Sequence, residues 1–170
     1  MKLFAIAASV AALSGAALAA GMQTQPTSTT SAAAMPSSDM TVVSGSSAVK
    51  WGPGSPAFPA GMKMAVMTGD PASTGFISIR AKVPAGYKVP PHFHPTDEHV
   101  TVLSGTMAFG MGDTIDPKTE KTAGPGGYFV AQAQMHHYAV AKTASTIQID
   151  LNGPFGITYV NSADDPRNKK

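Results

Sequence analysis

A chain of 170 residues and 17.4 kDa has room for one domain with a buried core. Its 43% apolar and 13% charged content excludes wholesale disorder, and a net charge of +2 without a basic stripe argues against a nucleic-acid partner. The absence of cysteine excludes disulfides, thiolate metal sites and a cysteine nucleophile, so any chemistry must come from histidine, carboxylate, hydroxyl or a bound metal.

The N-terminus opens with Met1-Lys2 and an apolar, small-residue run from Leu3 to Ala20 that contains Ala17-Leu18-Ala19. One positive charge, a short hydrophobic stretch and a small-x-small ending predict a secretory signal at residues 1–19, cleaved after Ala19. The run barely reaches the roughly 17 residues that span a bilayer and is rich in Ala and Gly, so a cleaved signal is expected rather than a membrane anchor, with no stable membrane insertion after cleavage. The mature protein is expected in the periplasm or outside the cell. Residues 20–48 follow as a Ser, Thr, Ala, Met and Gln-rich stretch with Asp39 its only charge. Such a stretch lacks the apolar surface to offset its ordering entropy and reads as a disordered leader.

Charged, aromatic and β-branched residues arrive together at Lys50-Trp51, so the folded domain is placed at 49–162 and a solvated tail at 163–170. Phe76 to Val83 alternates, putting Ile77, Ile79, Ala81 and Val83 on one face. Further strands are predicted at His99–Leu103, Thr106–Met111, Tyr128–Ala131, His137–Val140, Thr146–Leu151 and Ile157–Val160. Pro84-Ala85-Gly86, Ser104-Gly105, Gly112-Asp113, the 123–127 segment and Gly153-Pro154 punctuate them. No amphipathic helical stripe survives beyond residue 50. The fold class is all-β, a small sandwich or barrel of about eight strands.

All five histidines fall between residues 92 and 137. In Pro90-Pro91-His92-Phe93-His94-Pro95-Thr96-Asp97-Glu98-His99, an extended backbone puts His92 and His94 on one face and turns Phe93 away. The flanking prolines stiffen the pair, which lowers the entropy lost when two ligands are fixed. Glu98 follows a short bend and can return to the same pocket. Two imidazoles and a carboxylate suit one divalent first-row metal (Fe, Mn, Ni or Zn), and a further ligand is expected from residues 136–137. His99 alternates away from Glu98 and reads as a structural or surface histidine. Asp97 is expected to cap the bend or to bond a ligand histidine. Met107, Phe109 and Met111 alternate as an inward strand face, and Met107, Phe109, Tyr138, Ile147 and Ile149 are expected to wall an apolar pocket. Trp51, Phe58 and Tyr128 are single aromatics that read first as packing residues and second as mouth residues.

Gly86-x5-His92-x-His94-x3-Glu98-x6-Gly105 resembles the first sequence motif of the cupins at every fixed position. The second cupin motif is only partly matched: aligned on His137, it has Gly126 in place, but Gln132 stands where the family has Pro, Gln134 where it has Gly and Ala141 where it has Asn. Aligned on His136, nothing matches but that histidine, so the resemblance favours His137 as the fourth ligand and makes His136 its outward neighbour. The resemblance implies a jelly-roll barrel over roughly residues 50–160. It also implies a single metal on His92, His94, Glu98 and His137, and a small-molecule ligand or substrate. Among the reactions the resemblance implies (dioxygenase, isomerase, epimerase and decarboxylase), metal-dependent oxygenase chemistry on a small apolar or aromatic molecule is the one favoured, with isomerase and decarboxylase left open and Glu98 as a candidate general base. A non-catalytic, metal-anchored binding or sensing module on the same residues is the alternative. Uncovered edge strands, taken with the resemblance, are compatible with a homodimer.

Overall fold

The computed structural model describes residues 42–169. The expected export signal and the leader up to residue 41 lie outside the described residues. Among the described residues, eleven strands form two antiparallel sheets. Six strands pack side by side in the order β1 (Gly52–Pro53), β2 (Lys63–Thr68), β3 (Gly75–Val83), β10 (Ser145–Gly153), β5 (Glu98–Ser104) and β8 (Tyr128–Ala131). The second sheet runs β11 (Thr158–Tyr159), β4 (Lys88–Phe93), β9 (His137–Ala141), β6 (Met107–Met111) and β7 (Lys121–Ala123). The all-β sandwich read from the sequence is the observed fold, and its inward faces form one apolar core.

The longest pairing explains where that core sits. β3 and β10 match over nine residues, from Val83 opposite Ser145 to Gly75 opposite Gly153. Their inward positions Ile77, Ile79, Ala81, Val83, Ile147, Ile149 and Leu151 are all buried, so strict two-residue alternation has produced one continuous apolar wall. The turn at Ser104-Gly105 needs glycine. Gly105 has φ +78°, and a Cβ there would lie 2.3 Å from both the Ala144 carbonyl oxygen and Ser145 Oγ.

Four strands were not among those predicted: β1, β2, β4 and β7. The first and last are two and three residues long, too short to show a period. β4 carries Pro90 and Pro91, which hide a strand because neither can donate to a ladder. The structure accommodates them with a register shift between Val89 and His92 opposite β9. The C-terminal tail, expected to be solvated, has no buried residue among those described and carries two short 3-10 turns at Ser162–Asp164 and Pro166–Asn168. Asp165 caps the second turn by accepting from the Arg167 backbone, and Arg167 Nη2 reaches the Ile157 carbonyl at 3.2 Å. The segment therefore folds back on the barrel.

Candidate metal centre

The site is built where β4 and β9 meet. His92 and His137 are direct cross-strand partners, so their side chains share the inward face, and His94 joins them two residues past His92. Each imidazole offers one ligand nitrogen, and the three such atoms lie within 4.8 Å of one another, while the residues are only 2–3% exposed. Ring centroids are 4.2 Å apart for His92 and His137, 4.9 Å for His92 and His94, and 5.3 Å for His94 and His137. Glu98 comes from the opposite sheet, at the first residue of β5, and is itself buried. Its Oε1 is 3.6 Å from His94 Nε2 and its Oε2 is 3.4 Å from His137 Nε2. Among the four residues singled out in the sequence, three imidazoles therefore form the compact set and the carboxylate closes one side of it.

The hydrogen bonds around the rings fix what these nitrogens can do. His92 Nδ1 faces the Pro90 carbonyl at 2.7 Å, His94 Nδ1 the Gly156 carbonyl at 2.6 Å, and His137 Nδ1 the Met135 carbonyl at 2.9 Å. A carbonyl only accepts, so each Nδ1 carries a proton and each ring directs its Nε2 inward. The Nε2 atoms of His94 and His137 are buried without a hydrogen-bond partner. Lone pairs facing one another and a carboxylate repel, and a cation between them removes both the repulsion and the unsatisfied buried acceptors. Burial, reinforced by His137 and His94, pushes the His92 imidazole down to about 3, so this ring is neutral and ready to ligate at neutral pH. Burial works to raise the Glu98 carboxyl, but a hydrogen bond with His137 and electrostatic interaction with His94, His137 and His92 outweigh it. The group is held below the usual carboxylate range. Neutral nitrogens with one anionic oxygen are a donor set that fits a first-row divalent metal.

Aromatic residues wall this centre. Phe155 stacks on His94 with centroids 5.7 Å apart, and Phe58 stacks on Phe155 at the same spacing. Phe129 lies 5.9 Å from His137 and stacks on Phe109 at 4.6 Å. Tyr159 is 6.1 Å from His92. Of the pocket residues read from the sequence, Phe109 thus reaches the site through Phe129, while Met107, Ile147 and Ile149 belong to the same apolar core. Tyr138 does not belong there. As the neighbour of His137 on a strand it must face the other way, and it packs with Ala108 and Val140 over Gly110, with its hydroxyl bonded to the backbone of Asp116. Phe155, Phe129 and Tyr159 were missed as site residues. The Gly-Pro-Phe-Gly run at 153–156 was the one available signal, since it supplies both a stacking ring and the carbonyl that orients His94.

The remaining polar candidates sort by the same alternation. His136 is outward, its Nδ1 2.6 Å from Asp113 Oδ1 and its ring stacked on Phe93. His99 is outward too and bonds the Tyr128 hydroxyl. Tyr128, bonded to outward His99, and Trp51, which lies under Lys82 Nζ at 4.7 Å, are therefore not at the mouth of the site. Asp97 bonds no ligand histidine; its Oδ1 accepts from Ala133 N at 2.7 Å and ties the His94–Glu98 bend to the loop before His137. Gln134 in that loop has φ +64°, where the cupin motif has glycine, and its backbone N–H donates to the His94 carbonyl at 2.9 Å. The loop keeps the left-handed turn although the glycine is gone.

A family model described as the ChrR cupin-like domain matches residues 39–152. The chain belongs to this cupin family. The match begins ten residues before the position at which the folded domain was placed from composition. No curated protein matches this cupin. Solved structures similar to it include a putative acetylacetone dioxygenase from Methylibium petroleiphilum (21% identity, TM-score 0.56, 78% of this chain and 90% of that one). They also include the polyketide cyclase RemF from Streptomyces resistomycificus (20% identity, TM-score 0.55, 75% and 90%). A third is the DMSP lyase DddQ from Ruegeria pomeroyi (17% identity, TM-score 0.53, 67% and 62%). At these identities the likeness establishes the fold.

Proposed function

We propose that this cupin is an exported metal-dependent oxygenase acting on a small apolar or aromatic molecule. One divalent transition metal would be held by His92, His94, His137 and Glu98. The observation that carries the reading is the set of three Nδ1–carbonyl bonds, which leaves three inward nitrogens and a carboxylate with no other purpose in the fold. Bound there, such a metal supplies Lewis acidity and, if it is redox-active, activation of dioxygen. The chain's own contribution is orientation and exclusion of water. The Pro90, Met135 and Gly156 carbonyls hold the rings, and Phe155 and Phe129 present aromatic faces suited to a flat apolar guest. Among the described residues, Glu98, buried beside the histidines and held as a carboxylate, is the candidate to take a proton from such a guest. Among solved structures of this fold, one is a putative acetylacetone dioxygenase and another a polyketide cyclase, small-molecule chemistries consistent with this reading.

The near-complete burial of the histidines favours a second reading, a metal-anchored binding or sensing module that does not turn over. Two measurements separate them. Azide or nitric oxide added to the metal-loaded protein reports an open coordination position by a spectral shift, and dioxygen uptake over a panel of small phenols and β-diketones reports turnover. The oxygenase reading expects both. A spectral shift without uptake supports the binding module, and neither signal leaves a metal with a structural role only.

A further inference from the structure

On the outward face of the six-stranded sheet, away from the histidines, lies a groove of about 710 Å³. Its lining includes Trp51, Arg80, Lys82, Ser46, Ser104 and Thr146. A volume of this size takes a drug-sized molecule rather than a single ion. Arg80 and Lys82 alternate on β3 with Ile79 and Ala81 turned into the core, so their charges rise from the same face about 7 Å apart along the strand. Among the described residues neither pairs with a carboxylate. Lys82 Nζ sits over the Trp51 ring at 4.7 Å, and Arg80 uses its Nε on the Gln148 side-chain oxygen at 3.2 Å. Asp150, the acid next along the face, accepts from Gln148 instead. Lys63 stands directly opposite Lys82 across β2 and β3, a like-charge pair that opposes sheet pairing unless an anion lies nearby. Hydroxyls along the groove add donors and acceptors of the kind that read polar oxygen.

We propose that this groove is a second binding site, independent of the metal, for a ligand carrying at least two carboxylates, with Arg80 and Lys82 as its anchors and Trp51 as its floor. Small dicarboxylic acids and acidic saccharides share this chemistry. The chain has one tryptophan, so its fluorescence reports on this groove alone. Metal-loaded protein is titrated with adipate and, separately, with digalacturonate, at constant ionic strength against sodium chloride. A saturable change in emission with either is the expected result, and the tighter of the two identifies the source. Combined Arg80→Gln and Lys82→Gln substitution should weaken that binding at least tenfold while leaving the metal content unchanged. In amide spectra of the unaltered protein the shifts should centre on residues 80, 82, 104 and 146, which keeps the test independent of how the variant folds. Emission changes no larger than those of chloride, shifts centred elsewhere, or unweakened binding by the double variant would overturn the proposal.

Discussion

The two faces of the same strands treat one residue type in opposite ways. His137 and His136 are neighbours in sequence, as are Glu98 and His99, and strand alternation sends one of each pair inward and the other out. Inward, the imidazoles are 2–3% exposed, their Nδ1 atoms are fixed by backbone carbonyls, and two of the Nε2 atoms have no partner. Outward, His136 and His99 are satisfied by side chains, Asp113 and Tyr128, at partly exposed positions. Backbone carbonyls hold a ring without bringing charge, so they leave the other nitrogen basic and directed. A carboxylate or phenol at the surface simply completes the hydrogen bonding of a solvated side chain. The difference marks the inner set as positioned to bind a metal ion and the outer pair as structure.

The largest effect should come from removing inward rings. Substituting His92→Ala and His94→Ala together should take metal per chain from about one equivalent to below a tenth. His99→Ala with His136→Ala should leave it unchanged. Metal analysis of the two purified variants, side by side, decides this, and equal loss in both would erase the distinction between the faces.

Acid should expose the same contrast in stability. His92 is depressed to about 3 from 6.5, so the unfolded chain binds more protons than the folded one between those values and metal-free protein loses stability as pH falls through that window. The depressed Glu98 acts in the same direction, its contribution fading as the carboxylate is protonated. For His92 alone the loss is on the order of 5 kcal/mol if the window is crossed in full. Denaturant unfolding of metal-free protein at a series of pH values checks it. His92→Gln should flatten the slope below pH 6.5, and His136→Gln should not.

A smaller effect belongs to Tyr138, which is fully buried on the outward side of β9. Its hydroxyl donates to the Asp116 carbonyl at 2.9 Å and accepts from the Asp116 N–H at 3.0 Å. Tyr138→Phe removes both bonds; the Asp116 carbonyl keeps those from Thr119, but the Asp116 N–H loses its partner, which should cost about 1 kcal/mol in urea unfolding, with metal content unaltered. A change in metal content would return Tyr138 to the inner face.

These contrasts also show what was legible before any coordinates. Alternation in 76–83 and 146–151 announced buried strands because one face of each had to be apolar. The spacing of His92, His94 and Glu98 announced the site because its ligands are local. His137 was reachable only through the partial second motif, since cross-strand pairing with His92 is a property of register and not of spacing. Tyr138 was misplaced by setting two successive strand residues on one face. Phe129 could not be read, and Phe155 was signalled only by the Gly-Pro-Phe-Gly run: their value lies in contacts made across 61 residues to His94 and from the opposite sheet to His137, distances that no local period records. β4 hid behind Pro90 and Pro91, the same residues that bend it and present His92.

X-ray absorption at the metal edge of protein purified from its native compartment tests the ligand set most directly. Three nitrogen scatterers at about 2.0–2.2 Å with imidazole outer-shell features, joined by at least one oxygen, is the predicted result. A shell of oxygens alone, or a sulfur scatterer from methionine, would contradict it.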